Sequence, residues 1–322
     1  MNAPIALPAL DLPPMEAEAV DELPLGEGWQ YEPKYDGFRC LAHRRGSRVH
    51  LQSKNQKPLE RYFPEVAQGL EEIAEMDYVL DGELVVDGSF EDLQLRLHPA
   101  ESRVRKLARE TPADLIVFDM LARSGISLLD RSLAERRREL EDFVAQAASP
   151  VIRLGEATEQ EAVARGWLGR EGLDGIVAKR LDLPYEAGER AMRKFKSWKT
   201  VDCVVAGLYR KRGTQAVEHL LLGLYDEEGL LNYVGRARIY EDATEIGRLL
   251  EPLVGGGGFT GRAPGGKSRW SGKERMPVPL EPILVVEVSA DHITGDHMRH
   301  GARLLRWRTD KPPERCTMNQ IR

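Results

Sequence analysis

Lys34 is the first residue whose setting suggests chemistry. It lies in Glu32-Pro33-Lys34-Tyr35-Asp36-Gly37-Phe38-Arg39, beside an aspartate and a glycine and just ahead of a β-rich run. Asp-Gly commonly marks turns, so an ordinary surface turn accounts for this segment taken alone. Farther along, Asp81-Gly82-Glu83 interrupts the apolar run Tyr78-Val79-Leu80 and Leu84-Val85-Val86. A charged pair inside such a strand is costly unless it meets a cation or a water-filled cleft; the alternative is an edge hairpin with an Asp-Gly turn. Phe118 sits in the apolar stretch from Leu115 to Leu121, where core packing is the ordinary fate of an aromatic ring. Asp174-Gly175-Ile176-Val177-Ala178-Lys179 again leads a strand with an acid and a glycine, and ends in a lysine. In Arg193-Lys194-Phe195-Lys196 the lysines alternate, so on a strand they share one side. Two like charges there repel unless an anion lies above them or both face solvent.

The elements that must position these residues show in the hydrophobic pattern. β-rich runs occur at Phe38–Ala42, Val49–Gln52, Tyr78–Val86, Asp114–Leu121 and Gly175–Lys179. Helical spacing appears at Phe63–Ile73, Leu133–Ala147 and Glu159–Leu168, the last with Thr158 as its expected N-cap. Strands and helices are interspersed without strict βαβ alternation. After Thr200 the texture changes: strands are expected at Val201–Tyr209, Glu218–Tyr225, Leu230–Val234 and Ile283–Val288, and a helix at Asp242–Leu250. Val254–Gly258 and Ala263–Lys273 read as flexible loops. Short strands with one helix suggest a small β-barrel. The expected organisation is an irregular acidic lead-in at 1–28, a first domain at 29–199 and a second at 200–322.

Composition bounds the classes. The chain has 322 residues, 42% hydrophobic and 30% charged, as globular proteins do. Its three cysteines, Cys40, Cys203 and Cys316, are far apart and form no C-x-x-C pair, which argues against a disulfide framework or zinc cluster and fits a reducing cytoplasm. No apolar run approaches the ~20 residues of a membrane span, and the N-terminus lacks the basic start of a signal peptide. The net charge of −6 is concentrated: residues 1–32 carry seven acids and no Lys or Arg, so the body is nearly neutral. Bulk charge therefore neither demands nor excludes a nucleic-acid face.

Taken in order, KYDG (34–37), Ser53-Lys54-Asn55, DGE (81–83), VFDM (117–120), DGIVAK (174–179), KFK (194–196) and Arg306-Trp307-Arg308-Thr309-Asp310-Lys311 form a specific series. It resembles the nucleotidyltransferase motifs of ATP-dependent DNA ligases, a superfamily shared with RNA ligases and mRNA-capping enzymes. The resemblance spans about Trp29–Ile321. In size and wording the chain is similar to small stand-alone bacterial ligases, relatives of the ligase module of bacterial end-joining proteins. It implies an α+β fold: a nucleotidyltransferase domain of ATP-grasp-like antiparallel sheets with helices, followed by an OB-fold β-barrel domain.

The implied reaction has three steps: a lysine attacks the α-phosphorus of ATP, AMP passes to a DNA 5′-phosphate, and a 3′-hydroxyl displaces AMP. The resemblance makes Lys34 the nucleophile. An ordinary lysine, with a pKa of ~10.4, is protonated at neutral pH, so neighbouring cations or a metal must favour the free amine. Lys194, Lys196 and a bound Mg²⁺ or Mn²⁺ would supply that field and neutralise the triphosphate. Glu83 and Asp174 are the implied metal ligands, Glu83 also touching the ribose. Asp174 stands where the family usually has Glu, so a water would intervene. Phe118 would stack on adenine, Glu32 would sit near the base edge, and Arg39 would reach the ribose or phosphates. Asn55 belongs to the nucleotide-binding element, in which Lys54 replaces the more usual Arg. Arg308 and Lys311 would orient pyrophosphate from the OB domain.

The implied substrate is nicked or broken duplex DNA, handled by a cytoplasmic, nucleoid-associated monomer without a membrane partner. Implied partners are repair proteins such as an end-binding protein or a polymerase. An RNA ligase, a capping-type enzyme or a catalytically inactive OB-fold nucleic-acid binder are the competing readings. Residues 1–28 are too short for the helical DNA-binding domain of larger ligases.

Overall fold

The computed structural model describes residues 7–87, 90–196, 199–240, 242–265, 276–290, 293–294, 296–298 and 301–321. The chain divides into two compact units, Met1–Ser197 and Trp198–Arg322.

The first unit runs β1 (Ala17–Val20), β2 (Trp29–Tyr35), β3 (Phe38–Arg45), β4 (Arg48–Ser53), α1 (Pro64–Glu71), β5 (Asp77–Val86), α2 (Phe90–Leu95), α3 (Glu101–Glu110), β6 (Ala113–Arg123), β7 (Ile126–Ser127), α4 (Leu133–Ala147), β8 (Ile152–Leu154), α5 (Glu161–Arg165), β9 (Leu173–Arg180) and β10 (Met192–Phe195). They form two sheets. One has the order β4-β3-β5-β6-β7, with β8 parallel to β6; the other has the order β1-β10-β9-β2.

Strand alternation sorts the residues onto opposite faces. On β5, Tyr78, Leu80 and Leu84 join the core that also holds Phe63, Val66 and Leu70 of the α1 region and Leu140 and Phe143 of α4. Val79, on the other face, joins Met15, Leu41, Leu121, Tyr185 and Met192 in a second core. A third holds Leu23, Tyr31, Ala164, Trp167, Ile176 and Ala178. Asp81 and Glu83 share the parity of Val79, so the motif carboxylates follow the face of that second core. The Asp81-Gly82-Glu83 segment is the middle of a central strand and not a hairpin turn: β5 pairs with β3 on one side and β6 on the other.

α4 is stabilised at its start by a reciprocal capping box. Ser132 Oγ accepts the Glu135 N–H at 3.3 Å, and Glu135 Oε2 accepts the Ser132 N–H at 3.0 Å. Three sequence expectations are revised. The lead-in is not wholly irregular, because Ala17–Val20 pairs in parallel with β10. Thr158 does not cap α5: its backbone exchanges hydrogen bonds with Tyr31, and α5 begins after Gln160. Val254–Gly258 is tied down, since the N–H groups of Gly255 and Gly258 donate to the carbonyls of Pro279 and Leu280. Most of the Ala263–Lys273 stretch lies outside the described residues.

The second unit contains β11 (Lys199–Arg210), β12 (Val217–Tyr225), β13 (Leu231–Arg238), α6 (Ala243–Leu250), β14 (Val278–Ala290), β15 (Ile293–Thr294), β16 (His297–Met298) and β17 (Ala302–Trp307). A closed barrel forms in the order β11-β12-β13-β17-β14. Closure leaves no free edge, and Cys203, Leu220, Leu222, Val234, Val286 and Val288 are among the side chains that fill the interior.

Candidate active site

Lys34 lies near the end of β2, where pairing with β9 slips between Pro33 and Tyr35. Its Nζ donates to Asp174 Oδ2 at 2.6 Å, and Lys196 Nζ meets the same oxygen at 2.9 Å. Two glycines permit this approach. A Cβ on Gly37 would overlap the Leu84 carbonyl oxygen and crowd the Glu83 side chain, so only glycine lets the lysine turn settle on β5. Gly175 has φ +136°, and a Cβ there would overlap the Phe195 carbonyl oxygen, so glycine lets Asp174 come beside Lys196.

Glu83 faces Arg39 across the β3–β5 ladder. Burial pushes its carboxyl up to about 7, against the opposing pull of Arg39 and Lys34 and of the Gly37 N–H, while Asp81 adds to the rise. Burial alone would disfavour the Arg39 charge. Asp81 reverses this and holds the guanidinium charged by a two-pronged hydrogen bond, with Nη2 to Oδ2 at 2.6 Å.

Phe118 is only 7% exposed, yet it lines a cleft together with Glu32, Lys34, Arg39, Glu83 and Lys194. Two cations lie against its ring, Arg39 Cζ at 4.6 Å and Lys179 Nζ at 4.5 Å from the centroid. Lys179 is paired at 2.7 Å with Glu32, both being almost fully buried, and Gln30 Nε2 donates to Glu32 at 2.8 Å. Lys194 stands opposite Val177 on β9. Its charged form is disfavoured first by burial and then by Lys34, Lys54, Lys196 and Arg190.

Most of the sequence-derived candidates in this unit converge. Asn55 does not: it is exposed in the turn after β4 and is not among the cleft-lining residues, whereas Lys54 lines the cleft and pairs with Glu16 at 3.1 Å. A turn residue next to a lining residue need not share its direction. In the second unit, Arg308 Nη1 spans both Asp202 oxygens at 2.9 and 3.1 Å, its Nε and Nη2 bind Asp310, and Lys311 Nζ donates to Asp202 Oδ2 at 2.8 Å. Asp202, Gln30 and the Pro14–Ala17 stretch escaped the sequence reading, and Lys179 stands there only as the last residue of the DGIVAK motif, without a role. Its strand position, two residues from Val177 and on the same face, is what brings it to the cleft.

No cluster of three or more His, Cys, Asp or Glu side chains suited to a metal occurs among the described residues. A magnesium-type ion needs only one or two carboxylates beside water and phosphate oxygens. Asp174 Oδ1 is buried without a hydrogen-bond partner, which fits such a ligand. Among the described residues, no helix is long and apolar enough to cross a membrane.

The two units are a nucleotidyltransferase domain and an OB-fold domain. Residues 14–196 match the ATP dependent DNA ligase domain, and residues 213–311 match the ATP dependent DNA ligase C terminal region. The chain is 41% identical to DNA ligase C2 of Mycolicibacterium smegmatis and 39% identical to DNA ligase C of Mycobacterium tuberculosis, in each case over 100% of this chain and 96% of the relative. A solved structure of a mycobacterial DNA ligase D complexed with ATP and MES aligns with TM-score 0.50 and 25% identity, over 96% of this chain and 98% of that one. The chain therefore belongs to the ATP-dependent DNA ligases, enzymes that seal breaks in DNA.

Proposed function

We propose that the cleft binds ATP and that Lys34 carries AMP to a 5′-phosphate/3′-hydroxyl break in duplex DNA. The observation that carries this reading is the placement of Lys34, held by Asp174 beside Lys196, at a cleft that also presents Glu83, Phe118 and Lys194. Lys34 leaves its pairing with Asp174, gives its proton to solvent and attacks the α-phosphorus, and the bond to pyrophosphate breaks, pyrophosphate leaving with the bonding pair. Phe118 stacks on adenine, and Glu32, fixed by Lys179 and Gln30, meets the base edge. Arg39 and Glu83 address the ribose, while Lys194 and Lys196 address the phosphates. Arg308 and Lys311 of the OB-fold domain orient pyrophosphate. Asp174, through Oδ1, and Glu83 are the residues to hold Mg²⁺ or Mn²⁺, which when bound supplies charge neutralisation on the phosphates.

We assign nucleotide chemistry to residues 29–199, with Pro14–Ala17 of the lead-in also lining the cleft, and the OB-fold to residues 200–322. The protein acts as a monomer in the cytoplasm, at the nucleoid, with an end-binding protein or a polymerase as its recruiting partner. Incubation with α-labelled ATP and magnesium, followed by denaturing electrophoresis, tests the reading. Wild type becomes labelled, and a folded Lys34→Ala does not. Label on Lys34→Ala overturns the assignment.

A further inference from the structure

Arg39 is held in place by more than its own strand. Asp81 Oδ2, which accepts from Arg39 Nη2, also accepts the Tyr185 hydroxyl at 2.7 Å. The Tyr185 oxygen in turn accepts the backbone N–H of Met15 at 2.8 Å, and Arg39 Nη2 approaches the Met15 carbonyl at 3.4 Å. Met15, Tyr185, Asp81 and Arg39 thus close a loop of hydrogen bonds. Asp81 is fully buried, and Met15 and Tyr185 are each 5% exposed. The stretch from Pro14 to Ala17 lines the same cleft as Lys34 and Phe118, while Tyr185 does not line it. Beyond it, β1 is only four residues long and pairs with β10, placing Ala19 opposite Lys194. Backbone bonds from Glu16 to Glu189 and from Met192 to Glu16 hold the stretch to β10 and the turn before it, so the Met15 links are what couple it to Arg39.

We propose that the segment Pro14–Ala17 is a working wall of the nucleotide cleft, and that Tyr185 is the positioning residue that fixes this wall and Arg39 together for a nucleoside triphosphate. The proposal rests on the ATP reading above. A phenol suits the task because it donates and accepts at one atom. It joins a backbone amide, which can only donate, to a carboxylate, which can only accept. Phenylalanine in its place keeps the ring but strands the Met15 N–H and removes one donor from Asp81. In a buried network each such loss is felt by the others. The Met15 end of the wall then loosens and Asp81, still paired with Arg39, loses the Tyr185 link that ties Arg39 to the wall, while Lys34, Asp174 and Lys196 are untouched.

The test is DNA-free lysine adenylylation by the full chain, wild type against Tyr185→Phe, at varied ATP. Loss of a hydrogen bond to a charged group raises the KM for ATP roughly 10- to 150-fold, with little change in the rate at saturating ATP. Amide exchange at Met15 speeds up while exchange in α4 stays as in wild type. A purely structural role lowers thermal stability and leaves KM alone, and that result overturns the proposal. So does a fall in saturating rate without a change in KM. Wild type that takes no label from ATP refutes the ATP reading and this proposal with it. Wild type that labels normally, with Tyr185→Phe indistinguishable from it, refutes this proposal only.

Discussion

Replacing Phe118 with leucine tests separately its packing and the base-stacking role proposed for it. Phe118 is nearly buried, so the substitution perturbs packing; it also lines the cleft, so it removes the stacking face. The packing cost is modest, about 1 kcal/mol for an apolar swap of similar volume. Arg39 and Lys179 lose the ring beneath them, which adds ~0.5–1 kcal/mol for each cation. Folding stability should therefore fall by roughly 2–3 kcal/mol. Stacking on a base is a separate contribution of ~1–3 kcal/mol, or about 5- to 150-fold in ATP affinity. The two quantities have different readouts. Urea unfolding without nucleotide measures the first, and calorimetric titration with a non-transferable ATP analogue measures the second. A folded Phe118→Leu that binds the analogue as wild type does refutes the stacking role and leaves Phe118 as core. Weakened binding with unchanged stability refutes the packing and cation contributions instead.

Lys311→Ala should slow DNA-free adenylylation strongly yet spare sealing of a nick that already carries AMP, because the sealing step has no pyrophosphate to orient. The reverse pattern, with sealing lost and increasingly salt-sensitive, would make Lys311 a DNA-phosphate contact. A second expectation concerns acid stability. Burial, then His50 and Arg45, lower the pKa of His43 to about 4, partly opposed by Gln52. The folded state thus refuses a proton that the unfolded chain accepts near pH 6.5. The stability this protects is full above about pH 6.5 and is lost as pH falls towards 4, amounting to roughly 3 kcal/mol. Urea midpoints at pH 7 and pH 5 should converge in a folded His43→Leu; an unchanged pH slope there removes His43 as the cause.

What the sequence reveals depends on where each element finds its partners. Leu133–Ala147 is legible because its cap and its apolar face are local. α3 is not: only Val104 of Glu-Ser-Arg-Val-Arg-Lys-Leu-Ala-Arg-Glu is buried, so no apolar stripe marks it. β1, Ala-Glu-Ala-Val, carries no strand signal of its own and exists through pairing with β10, from the far end of the same unit. The site divides in the same way. Lys34, Glu83, Asp174, Lys194 and Lys196 are visible as motif residues. The Lys179–Glu32 pair depends on β2–β9 register, and the Tyr185–Asp81–Met15 links depend on three-dimensional proximity, neither of which spacing discloses.

Register also explains how an acidic chain can hold an anion site. Net charge is a sum over the surface, whereas attraction at a cleft depends on which cations there remain unneutralised. Lys34 and Lys196 share Asp174, Arg39 is held by Asp81, Lys179 by Glu32, and Lys54 by Glu16. Among the described residues no carboxylate pairs with Lys194. It lines the cleft with burial and four other cations opposing its charge. If the cleft takes a triphosphate as proposed, it would relieve that repulsion without first displacing a carboxylate, which would make Lys194 its first contact. The remaining lysines can follow only by exchanging protein carboxylates for phosphate oxygens. On the ATP reading proposed above, that exchange would free the Lys34 amine from Asp174 as the α-phosphorus arrives.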